Sequence, residues 1–114
     1  MTKFCTFASG SKGNAALISS GNTHILIDMG ISCRRICQSL GRLGLIPEDL
    51  AAVLITHEHN DHISGLATYV KKYDTPIIAT SATARQLAYR IAGIEPLIRC
   101  IGWGEKTEFG GISL

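Results

Sequence analysis

Five apolar residues, Ala51-Ala52-Val53-Leu54-Ile55, run directly into Thr56-His57-Glu58-His59-Asn60-Asp61-His62. The first run is partly β-branched and reads as a buried strand. The second holds three of the chain's 4 histidines. Ile63 to Lys72 then reads as a helix. A polar cluster therefore stands where a buried strand hands over to a helix. That order points to an α/β design, in which sites gather beyond the carboxyl ends of strands.

Ligand chemistry explains what such a cluster is for. Imidazole nitrogen and carboxylate oxygen suit zinc, manganese or iron. His57 and His59 are two apart, so a helix would send them to different sides, while an extended or looped backbone aims both at one ion. Asp61 and His62 follow too closely to complete the same sphere, and could serve a second ion beside the first. Two adjacent ions that share a water are the layout of a hydrolytic centre. The plain alternative is a polar loop of solvated histidines.

These residues also carry a resemblance. The run His57-x-His59-x-Asp61-His62 after a buried strand resembles the metallo-β-lactamase superfamily. Ile25-Leu26-Ile27-Asp28-Met29-Gly30 is similar to that family's strand ending in aspartate and glycine. Ala8-Ser9-Gly10-Ser11-Lys12-Gly13-Asn14 is similar to its WalJ/YycJ-like, exonuclease-related subgroup. The resemblance implies an αββα sandwich built from two similar halves. It also implies a third histidine for the first metal, a bridging aspartate and a further histidine for the second, all from later segments. Residues 1–114 then correspond to the amino-terminal part of one such domain: one mixed sheet with helices on one face, stopping at Leu114 inside an element.

What the resemblance implies for activity is metal-assisted hydrolysis with two divalent ions, zinc or manganese first and iron third. His57 and His59 would hold one ion, Asp61 and His62 the other, with Asp61 also accepting a proton from the water. The substrate would be a phosphodiester, DNA or RNA, with Ser9, Ser11 and Asn14 on the substrate side. Two other readings stand beside it: a glyoxalase-like enzyme of thioesters or sulfur species, and a catalytically incomplete fragment. Glyoxalase-like relatives often follow the metal motif with paired glycines, and Ile63-Ser64-Gly65 has one.

The remaining chain fits one domain. Apolar residues make up 46% and charged residues 18%, the balance of a folded, well-buried chain. A net charge of +2 is too small to argue nucleic-acid binding by itself. Cys5, Cys33, Cys37 and Cys100 have no zinc-ribbon spacing, and read as free thiols in a reducing cytoplasm. No signal peptide and no membrane-spanning run is expected.

Lys3 to Ala8 reads as a strand. Ser9 to Asn14 is a glycine-rich loop, either a cradle for phosphate or a tight turn. Ala15 to Ser20 and His24 to Asp28 form a hairpin around Gly21-Asn22. His24 beside that turn reads as a surface residue. Asp28 either orients a metal-bound histidine from behind or caps the next segment.

Ile31 to Leu43 is an amphipathic helix with Ser32 as N-cap and Gly44 at its end. Cys33 and Cys37 share a face as small apolar residues, with metal binding or redox chemistry as the alternative. Later elements are a turn at Pro47, a strand at Ile77–Ala79, a helix from Ser81 to Ala92, and strands at 97–101 and 107–109. Trp103 in its glycine turn either stacks a base or packs its loop. Apolar strands such as Leu26-Ile27 and Val53-Leu54-Ile55 are expected to need a second sheet, and to drive self-association without one.

Overall fold

The computed structural model describes residues 2–10, 13–57, 60–101, 108–109 and 112–113. Six strands form one mixed sheet in the order β1-β2-β3-β4-β5-β6. They are β1 (Thr2–Ala8), β2 (Ala15–Ser20), β3 (Thr23–Ile27), β4 (Leu50–Leu54), β5 (Ile77–Thr80) and β6 (Ile98–Ile101). The pairs β1–β2 and β2–β3 are antiparallel, and β3 to β6 pair in parallel. Two residues, Gly21 and Asn22, suffice to turn β2 into β3, with Gly21 at φ 59°. A parallel neighbour cannot be reached so cheaply. Each later strand arrives through a helical crossover.

Those crossovers are α1 (Cys33–Arg42), the short α2 (Asn60–Ile63) with α3 (Leu66–Lys72), and α4 (Ser81–Arg90). The strand order never reverses from β3 to β6. Right-handed crossovers therefore stack every helix on one face. The core agrees: Ile36 and Leu40 of α1, Leu66 and Tyr69 of α3, and Ala84 and Leu87 of α4 form one cluster with Leu17, Leu26, Val53 and Ile77 of the sheet. Strand side chains alternate, so Ile25, Ala52 and Ile78 lie on the opposite face. They too are fully buried. The fold class is therefore α/β, with one mixed sheet, as the sequence implies.

Helix boundaries follow their caps. Ser32 Oγ accepts the Arg35 N–H and starts α1. At the other end Gly44 takes φ 75°, and the Leu45 and Gly44 amides donate to Leu40 and Gly41 carbonyls. This is the paired closure that a left-handed residue allows after a helix. Two expectations need correction. The helix expected over 63–72 is broken into α2 and α3 at Ser64-Gly65. The helix α4 starts at Ser81 as expected, capped by Thr80, whose hydroxyl accepts the Thr83 N–H, but it ends at Arg90 rather than Ala92. The strand expected at 107–109 appears as β7 (Glu108–Phe109), paired antiparallel with β8 (Ile112–Ser113). Gly102, Trp103 and Gly104 lie outside the described residues.

Candidate metal centre

Asp28 directly follows β3, and Thr56 follows β4 by one residue. Parallel pairing of β3 with β4 brings these two strand ends side by side. The Asp28 backbone N–H continues the ladder to the Leu54 carbonyl at 2.7 Å. Asp28 then leaves the strand at φ 62°, a left-handed conformation that Asp and Asn adopt more readily than other side-chain-bearing residues.

That turn aims the carboxylate at the histidine loop. Asp28 Oδ1 accepts the Thr56 backbone N–H at 2.8 Å. Its Oδ2 accepts the Thr56 hydroxyl at 2.7 Å and lies 2.7 Å from His62 Nδ1. Asp28 is only 5% exposed, and a carboxylate so buried needs donors of this kind.

The donor count then fixes two ring tautomers. A carboxylate accepts only, so His62 Nδ1 carries the proton it donates. The Thr56 hydroxyl has already given its proton to Asp28. Its oxygen, 3.0 Å from His57 Nδ1, can only accept there, so His57 Nδ1 also carries a proton. When neutral, each imidazole so arranged carries its lone pair on Nε2, the form in which a histidine binds a metal through that atom. The rings lie close, with centroids 4.9 Å apart and planes tilted by 53°. One buried carboxylate and one hydroxyl thus prepare two imidazoles, and the donor set fits a divalent cation.

The other expected ligands are less fully placed. His59 and Glu58 lie outside the described residues, as does the side chain of Asp61, whose backbone belongs to α2. Among the described residues alone, no group of three or more His, Cys, Asp or Glu side chains is gathered for a metal. His24 stands at the start of β3, the far end of that strand from Asp28. It is half-buried, bonded to Ser19 and apart from the histidine loop.

The glycine-rich loop abuts this centre from a third direction. Asn14 closes it by bonding Gly10 through both side-chain atoms, Nδ2 to the carbonyl at 3.0 Å and Oδ1 from the amide at 3.2 Å. The Asn14 carbonyl accepts the Gly30 N–H at 2.8 Å. Ser9 is exposed, while Ser11 and Lys12 lie outside the described residues.

From the fourth side, the Met29 amide donates to the His62 carbonyl and the Gly65 amide to the Met29 carbonyl. The Ser64 hydroxyl also donates to Gly30. Glycine is needed at these contacts. A Cβ on Gly13 would stand 2.5 Å from the Gly30 carbonyl oxygen, and one on Gly65 would overlap the Ile31 carbonyl oxygen. Thr56 is the site residue that sequence reasoning left without a role. A hydroxyl between a buried strand and the first histidine was the available signal.

Comparison with known proteins agrees with the geometry. The family model described as Metallo-beta-lactamase superfamily matches residues 8–110. The Exodeoxyribonuclease WalJ of Streptococcus pneumoniae serotype 2 (strain D39 / NCTC 7466) is 40% identical over 81 residues, which cover 71% of this chain and 30% of that protein. The Exodeoxyribonuclease YycJ of Bacillus anthracis is 34% identical over 112 residues, covering 97% of this chain and 42% of the relative. The chain therefore spans less than half the length of either relative. Among solved structures, Rm3 metallo-beta-lactamase superposes with a TM-score of 0.74 at 26% identity, over 98% of this chain and 46% of that one.

Proposed function

The chain belongs to the metallo-beta-lactamase superfamily, and on that footing we propose that it carries the metal-binding edge of a phosphodiester hydrolase acting on DNA or RNA. The observation that carries this reading is the Asp28 carboxylate, which fixes His62 directly and His57 through Thr56. Two divalent ions, zinc or manganese with iron as the third candidate, are the fitting cofactors. His57 and His59 would hold one, and Asp61 and His62 the other. Bound there, such ions supply Lewis acidity and lower the pKa of a coordinated water toward neutrality.

The chain's own groups do the rest. Asp61 takes the proton given up by the attacking water. Asp28 accepts hydrogen bonds from behind the rings, holding their orientation and raising the basicity of the ligating nitrogens. Ser9, Ser11 and Asn14 border the substrate side, and the Asn14–Gly10 bonds keep that loop shaped. The exodeoxyribonuclease relatives support a nucleic-acid substrate. Four free cysteines fit a reducing cytoplasm. Among the described residues no helix is long and apolar enough to cross a membrane.

The chain's share of its relatives, 30% and 42%, favours a second reading in which these residues bind metal without turnover. One experiment separates the readings. Zinc and manganese are titrated calorimetrically, and the loaded chain is given bis(p-nitrophenyl) phosphate beside a glutathione thioester. The proposal expects saturable metal binding that His57→Ala and His62→Ala each weaken, with the phosphodiester as the preferred substrate. Saturable binding without turnover selects the second reading. A preference for the thioester, or no metal binding, overturns the first.

A further inference from the structure

The sheet carries another pocket, at the end opposite the histidines. It is about 550 Å³ in volume, within the range of small-molecule sites. Its polar side is a single row across three strands. Lys3 on β1 stands opposite Ser19 on β2, which stands opposite His24 on β3. Alternation puts this row on the helix-bearing face, two residues along from Leu17 and Leu26. From His24 to Asp28 the chain advances about 13 Å at the rise of an extended strand, so the pocket is separate from the metal centre.

The apolar side comes from the sheet and from the closure of α1. Leu17 forms part of the floor, and Leu43 and Leu45, set by the left-handed turn at Gly44, form a wall. Leu43 remains 48% exposed. An aliphatic side chain left open at the mouth of a cavity suits an apolar guest.

Charge decides which guest. Ser19 Oγ and His24 Nδ1 are 2.6 Å apart. With the serine donating, His24 Nε2 carries the ring proton and becomes a donor. Among the described residues, neither His24 Nε2 nor the Lys3 ammonium has a partner. Among the described residues, no carboxylate lines the pocket. The acids that precede β4 are used elsewhere: Asp49 accepts the Ile46 amide, and Glu48 lines a different cavity beside Lys72 and Tyr73.

We propose that this pocket binds a small amphiphilic anion, with a carboxylate or phosphate monoester head at Lys3 and His24 and an aliphatic body against Leu17, Leu43 and Leu45. The inference does not depend on the metal chemistry.

The test is an NMR titration of the whole 114-residue chain with four probes: octanoate, octyl phosphate, 1-octanol and inorganic phosphate. Amide shifts and the His24 ring resonances report the site. At least one of the two amphiphilic anions should bind saturably and move His24, Leu43 and Leu45, and their relative strength identifies the head group. It should bind about tenfold more tightly than 1-octanol, the effect of one charge-assisted hydrogen bond, and at least about tenfold more tightly than inorganic phosphate, through burial of the aliphatic body. Lys3→Met, which keeps the aliphatic stem and leaves the Ser19–His24 pair intact, should remove most of that advantage. Leu43→Ser should weaken both amphiphiles. Equal binding of 1-octanol, equal binding of inorganic phosphate, or no saturable shift in a chain with a folded spectrum would overturn the proposal.

Discussion

Asp28 combines a left-handed backbone with a carboxylate that meets three donors. Few residues satisfy both demands. Asn keeps the backbone geometry, but one carboxylate oxygen becomes an NH2 group that faces donors. Asp28→Asn should therefore fold and lose metal affinity by about 10- to 100-fold, the usual cost of losing a partner behind a ligating histidine. Calorimetric titration with zinc checks this, and unchanged affinity would remove Asp28 from the centre.

Tyr69 offers a test away from the metal centre. It is fully buried, its hydroxyl is 2.6 Å from Thr75 Oγ1, and burial pushes its pKa up to about 12. The folded state thus holds the phenolic proton more tightly than the unfolded chain does. The resulting stability is complete below pH 10 and is lost as pH rises toward 12. Tyr69→Phe should cost about 1 kcal/mol at neutral pH through the lost hydrogen bond. The deficit should shrink between pH 10 and 12, a window that urea melts can follow.

Two elements turn on glycines for different reasons. Gly93 sits at φ 83° with open space where a Cβ would go, whereas a Cβ at Gly65 would strike backbone atoms of Ile31, Ser32 and Cys33. Conformation alone should make Gly93→Ala cost about 1 kcal/mol. Overpacking against backbone should make Gly65→Ala cost about 3 kcal/mol. Chemical denaturation of the two variants compares them directly, and equal losses would mean that the Gly65 contact yields easily. The sequence could not show this difference. It showed one glycine after the histidines, and not that the start of α1 presses against it. The same limit hid the split between α2 and α3, because the apolar pattern of residues 63–72 continues through the break.

Across the whole molecule, the local patterns proved readable. The hairpin at Gly21-Asn22, the Ser32 cap and the alternation of strand with helix after β3 are all written in short stretches of sequence. Relations between distant segments were not. Nothing in Lys3, Ser19 and His24 taken singly announces a shared row, since the register of three strands creates it. Thr56 likewise acquires a role only when β3 and β4 bring Asp28 beneath it.

The short connection from Asp28 to Gly30 belongs to neither a strand nor a helix, yet each of its amides ends on a carbonyl from a different part of the chain: Leu54, His62 and Asn14. No local fluctuation can release all three at once. In heavy water these protons should exchange as slowly as those of the central strands, through cooperative opening of the whole molecule. Rapid deuteration there would mean that the connection breathes independently of the sheet.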